Sequence, residues 1–151
     1  MIYVECNSDK ALVSTLGFEQ KGILHTYGKG NACNRLLRNK AHTALLDEDP
    51  LSAQHSYLKG LAPYGEQYGL RLLLDSQRGN RVILICPDLE EWLVRTAKIE
   101  KVGLAQYGLP SDAHTLHEVL AFEQKKLRGL IGALEKSASM KLLTQWLKTG
   151  K

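Results

Sequence analysis

Apolar residues fall in short blocks along the first half of the chain and at helical spacing along the second. Residues 2–6 form an apolar run that closes on Asn7-Ser8-Asp9, whose side chains suit the start of a helix carrying Leu12, Val13 and Leu16, and Gly17 ends it. Residues 22–27 give a second strand, Gly28-Lys29-Gly30 a loop, and Asn31 an N-cap for a helix with Leu36 and Leu37. A third strand at 43–46 runs into Asp47-Glu48-Asp49-Pro50, where proline removes a ladder donor. Residues 52–61 read as a helix or loop excursion. The apolar runs 70–74 and 82–86, separated by turn-forming residues, predict a hairpin, after which Pro87-Asp88 opens a helix with Leu89, Trp92 and Leu93.

From Ser111 onward Leu116, Leu120, Leu127, Leu130, Ile131 and Leu134 recur at three- and four-residue steps, and Met140, Leu143, Trp146 and Leu147 repeat the pattern, which predicts two helices. Strand and helix alternate in the first half at the spacing of βαβ units, so the strands are expected to run parallel with helices on the faces. The fold class that follows is α/β: a mainly parallel sheet of four to five strands flanked by helices over 1–98, with a helical extension over 99–151 packed on it.

Length and composition narrow the classes. At 151 residues, 44% hydrophobic and 24% charged, the chain has the material for one ordinary core, against extended disorder or a disulfide-stapled miniature. Cys6, Cys33 and Cys86 are odd in number, widely spaced and form no CxxC pair, which fits buried reduced thiols and not a zinc ribbon. The start lacks a signal-peptide pattern and no apolar run reaches the length of a membrane span, so the expectation is a cytoplasmic protein without a membrane partner. A formal charge of +4 permits nucleic acid without marking a polybasic footprint; Arg35, Arg38 and Lys40 make one small basic face.

Chemistry concentrates in the acids. Glu5 ends the first strand and Asp47 and Asp49 end the third, and in doubly wound sheets such strands lie side by side with a crevice at their carboxyl ends. The i,i+2 spacing puts both aspartates on one face of an extended backbone, roughly 6.6 Å apart. Three such carboxylates repel one another unless a hard dication holds them ionised, and oxygen-only ligands favour Mg²⁺ or Mn²⁺ over zinc. Acids at strand ends are also found as solvated loop entries. His114 and His117 stand at i,i+3 beside Glu118 without an evident third and fourth ligand, which favours a solvated helix start.

The order strand, Glu5, helix, strand, helix, strand, Asp47-Glu48-Asp49 resembles the topoisomerase/primase (TOPRIM) domain over residues 2–94. More narrowly, Val4-Glu5-Cys6-Asn7-Ser8-Asp9 is similar to the VEGxxD opening of the overcoming-lysogenisation-defect nucleases and related small TOPRIM proteins, with Cys6 where a glycine is usual. Gly28-Lys29-Gly30-Asn31 is similar to the GKGN segment after strand two of this group, and Pro87-Asp88-Leu89-Glu90-Glu91-Trp92 to its PxLExW element.

The resemblance implies Glu5, Asp47 and Asp49 as catalytic residues and Glu5, Asp9, Asp47, Asp49 and Glu90 as ligands of Mg²⁺ or Mn²⁺. Backbone and side chain of Gly28, Lys29, Gly30 and Asn31 would meet phosphate. The activity implied is a metal-dependent nuclease or phosphotransfer reaction on DNA or RNA. The alternative is a non-catalytic module that partners a separate ATPase. Asp9 equally suits a helix cap, and Glu90 equally suits the positive end of a helix. A receiver-like signalling domain also carries acids at strands one and three, but pairs them at the first strand, where this chain has Glu5 alone.

Overall fold

The computed structural model describes residues 1–149. Its strands are β1 (Ile2–Val4), β2 (Ile23–His25), β3 (Thr43–Asp47), β4 (Ala62–Gln67), β5 (Leu70–Asp75) and β6 (Asn80–Ile85). Its helices are α1 (Asn7–Thr15), α2 (Lys29–Arg38), α3 (Ser56–Lys59), α4 (Leu89–Ile99), α5 (Ala113–Leu120), α6 (Gln124–Leu134) and α7 (Ala138–Thr149). The six strands join in one sheet of order β2-β1-β3-β6-β5-β4.

The ladders β2·β1, β1·β3 and β3·β6 are parallel, while β6·β5 and β5·β4 are antiparallel. The sheet is therefore mixed and six-stranded, and the expectation of a mainly parallel sheet of four to five strands is corrected. The extra strand is β4, whose residues are nearly all exposed. Pro63 and Gly65 interrupt its alternation and sit at a register shift against β5, so it carries no apolar signal and is tolerated as an edge. Tyr68 and Gly69 join it to β5, both at positive φ as a two-residue hairpin turn requires.

Side-chain alternation divides the core. Ile2, Val4, Leu45, Leu70, Leu72, Ile83 and Ile85 face one side, where they bury the apolar stripes of α1, α4, α6 and α7. Tyr3, Ala44, Leu46, Leu73, Val82 and Leu84 face the other, against Ala32, Cys33 and Leu36 of α2 and Tyr57 and Leu58 of α3. The tail predicted as two helices is three: residues 121–123 divide the first predicted stripe into α5 and α6, while the expected break before α7 falls at Ser137, whose hydroxyl accepts from Met140 N–H. The apolar residues of α5, α6 and α7 belong to the same cluster as the sheet face they cover.

Several boundaries moved for local reasons. Asn31 does not cap α2: the cap falls three residues earlier, at Gly28, and Asn31 donates back to Thr26 O at 3.0 Å and Tyr27 O at 3.3 Å. Cys6, not Asn7, precedes α1, and Asp9 in the first turn accepts from its N–H at 3.2 Å, the acid half of a capping box. The three cysteines are free, but only Cys33 is buried, against the expectation that all three are. No helix among the described residues is long and apolar enough to cross a membrane.

Candidate metal centre

β1 and β3 pair in parallel, with Val4 beside Leu45, so their carboxyl ends deliver Glu5 and Asp47 to neighbouring positions. Carboxylate oxygens of Glu5, Asp47 and Asp49 lie within 4.8 Å of one another. Two of these carboxylates are held by backbone. Glu5 Oε1 accepts from Asp47 N–H at 2.9 Å, and Asp47 Oδ1 accepts from Leu89 N–H at 3.0 Å at the start of α4. These bonds occupy one oxygen of each carboxylate and leave a second for a ligand.

Asp49 reaches the cluster differently from what its spacing suggested. β3 ends at Asp47, and Asp49 stands in the left-handed region at φ 46°, fixed by its N–H to Pro87 O at 2.9 Å. A turn, not two further strand residues, brings its carboxylate to Glu5. Glu48 points elsewhere and pairs with Arg71 at 3.1 Å, so the three consecutive acids are split two to one. Lys29 bridges the loops: its Nζ donates to Glu48 O at 3.1 Å and stands 3.4 Å from Asp49 Oδ2.

The electrostatics are those of acids gathered where water is scarce. Burial, followed by the neighbouring carboxylates of Asp9, Glu5, Glu90 and Asp49, pushes Asp47 up to about 9. Burial also raises Glu5, opposed by the Asp47 N–H and the charge of Lys29. Asp9 is almost fully enclosed and burial pushes it up to about 7. Its Oδ2 accepts from both the N–H and the thiol of Cys6.

Asp9 and Glu90 do not join Glu5, Asp47 and Asp49 in a ligand group among the described residues. Glu90 is buried on the first turn of α4 and instead bonds His117 Nδ1 at 2.8 Å. Cys6, the residue after Glu5, has φ −141° and ψ 174°, ordinary extended backbone that needs no glycine. Gly28 at φ 124° does need one, and its N–H donates to Glu5 O at 3.2 Å, tying the start of α2, which the sequence pattern reads as a loop, to the acid end of β1.

An acidic cleft of about 330 Å³ opens beside the cluster, lined by Asp47, Asp49, Asp88, Glu90, Glu91 and His117 among others. The sequence did not point to its far wall. His114 and His117 lie on α5, some seventy positions beyond Asp47 (114 against 47), and only the packing of α5 against α4 brings them there. The one available sign was the His-x-x-His-Glu pattern.

The hydrogen bond and charge of Glu90 raise the His117 pKa. The pair therefore contributes fully below the ordinary histidine value of about 6.5 and is lost as pH rises through the raised value. Because the ring is largely exposed, the effect on stability is small. An NMR titration is expected to find His117 above its ordinary value, and Glu90→Gln to bring it back. A His117 titration that Glu90→Gln leaves unmoved would refute the pairing.

No protein-family model matches the chain, and neither a curated protein nor a solved structure is significantly similar to it.

Proposed function

We propose that the chain is a Mg²⁺- or Mn²⁺-dependent module of TOPRIM type that acts on nucleic-acid phosphodiesters as a nuclease or phosphotransfer unit. The observation that carries this reading is the convergence of Glu5, Asp47 and Asp49 within 4.8 Å at the carboxyl ends of adjacent parallel strands. The donor set fits a hard dication: it is all oxygen, and its acids are raised by burial and mutual repulsion that a positive ion relieves. When bound, such an ion polarises a phosphoryl oxygen and lowers the pKa of a coordinated water.

The chain's own residues take the other roles. Glu5, one oxygen fixed by Asp47 N–H and its pKa raised, is placed to hold or pass a proton at its second oxygen. Asp47 is kept in position by α4 and Asp49 by the backbone of Pro87. Lys29 orients Asp49 and offers an ammonium to an incoming phosphate.

Incubation with DNA and RNA in Mn²⁺ or in EDTA tests the reading. Cleavage that needs the metal, and that vanishes when Asp47→Ala and Asp49→Ala are combined, is the expected result; undiminished cleavage by that double variant overturns it. One feature favours a second reading, a non-catalytic module partnering a separate ATPase: Asp9 spends its hydrogen bonds on Cys6 and stays outside the ligand group. Tight Mn²⁺ binding without cleavage of any nucleic acid supports that alternative.

A further inference from the structure

On the sheet face opposite the long helical tail, α2 presents a stripe of polar residues at helical spacing: Asn31, Asn34, Arg35 and Arg38. With Thr26, Tyr27 and Asn39 these residues line a groove of about 550 Å³, within the range of ligand sites. No acid lines it, in contrast to the cleft beside Asp47. Arg35 and Arg38 are exposed and neither forms a salt bridge among the described residues. Two guanidinium groups outside any salt bridge, three residues apart on one helix face, suit successive phosphates of one strand.

At the end of the groove nearest the acids stands Tyr27. The residue is 79% exposed, and its ring stacks on that of His25 with centroids 3.9 Å apart. It holds φ 60°, a conformation that disfavours a bulky side chain, and both neighbours are locked: Thr26 Oγ1 donates to Val4 O and Gly28 O, and Asn31 holds Thr26 O and Tyr27 O. An aromatic pair fixed rigidly in water is a platform for a π-face that has none of its own covered, as an unpaired base does. The next two residues, Gly28 at the cap of α2 and Lys29 in its first turn, touch Glu5 and Asp49.

We infer that this groove binds single-stranded nucleic acid, with an unpaired base stacked on Tyr27 and consecutive phosphates on Arg35 and Arg38, so that the strand is led toward the acid cluster. The inference deepens the proposed activity by naming the form of its substrate, and rests on that reading only for what happens after binding. Fluorescence anisotropy of the full chain with labelled oligo(dT), oligo(rU) and a duplex, all in EDTA, tests the binding itself.

Oligomer binding is expected to weaken roughly tenfold or more in Tyr27→Gly, which removes the ring while suiting the positive φ, with duplex binding unaffected. Combining Arg35→Ala and Arg38→Ala should lower the salt dependence by about 0.7 per arginine. Lys141→Ala, on α7 across the sheet, serves as the charge control and is expected to bind as the wild type. Unchanged oligomer affinity in Tyr27→Gly or in the double arginine variant, with far-UV circular dichroism preserved, overturns the inference, as does tighter binding of duplex. Because EDTA removes every divalent ion, no cleavage is expected here and the outcome reads binding alone, while failure of the metal reading shows separately as absence of cleavage in Mn²⁺; the relative affinities for oligo(dT) and oligo(rU) separate DNA from RNA.

Discussion

Asp47→Asn is expected to stabilise the metal-free protein at alkaline pH and at the same time abolish its response to divalent cations. In the folded chain burial and neighbouring acids raise Asp47 from its ordinary 3.8 to about 9 and Asp9 from 3.8 to about 7. Between those values the folded state keeps a proton that the unfolded state has released, so stability falls as pH rises. Both groups contribute from about pH 4 to 7 and Asp47 alone from 7 to 9, with a slope of up to about 1.4 kcal/mol per pH unit for each proton. Partial solvation of Asp47 brings its share below that bound.

A dication reverses the trend, since it binds the ionised cluster and adds about 2.7 kcal/mol at a hundredfold excess over Kd. The Asp47→Asn variant keeps the shape of the side chain, loses the charge, and so flattens the upper pH window. It also loses the cation response and cleavage by roughly a hundredfold or more, at least what disturbing the surroundings of a ligand costs. Thermal denaturation from pH 5 to 9 with Mg²⁺ or EDTA reads all of this. A metal-free wild type whose Tm does not fall over that range, or an Asp47→Asn variant that gains as much from Mg²⁺ as the wild type, would refute the electrostatic account.

Trp92→Ala is expected to cost about 3–5 kcal/mol and to lower Tm by roughly 10 °C, the largest loss of stability from one side chain. Trp92 is buried on α4, and its indole N–H donates to Tyr68 O at 2.8 Å. A Cβ on Gly69 would stand 2.9 Å from its ring, so the turn between β4 and β5 is fitted to this one side chain. The same helix sends Leu89 N–H to Asp47 and Glu90 to His117. Truncation therefore loosens the hairpin tip and the first turn of α4 together, and Mn²⁺ affinity should fall with stability. Trp92→Phe retains most of the packing but leaves Tyr68 O unpaired, a smaller cost of about 1–3 kcal/mol. Circular dichroism melts and Mn²⁺ titration of the two variants check the order, and a Trp92→Ala protein as stable as the Trp92→Phe one contradicts it.

How far the fold was legible follows burial. β1, β3, β5 and β6 were marked by apolar runs because their residues face a core on both sides, and the stripes of α4 to α7 by their three- and four-residue steps. β4 left no mark, since its residues are exposed and its place is fixed by partners in β5 and by Trp146 against Gly65. The break between α5 and α6 was hidden because Leu120 and Leu127 continue the same apolar spacing across it and join one core.

The sequence by itself determined which side chains are available for chemistry and, through strand order, that Glu5 and Asp47 stand at the carboxyl ends of neighbouring strands. Only the tertiary structure decided which acids meet. Asp49 joins through a left-handed turn pinned to Pro87, Asp9 is drawn to Cys6, and Glu90 to a histidine from a helix whose docking no local pattern encodes. The physical reason is range: periodicity records the burial of each segment, whereas a carboxylate's partners are set by backbone donors and charges that distant segments carry to it.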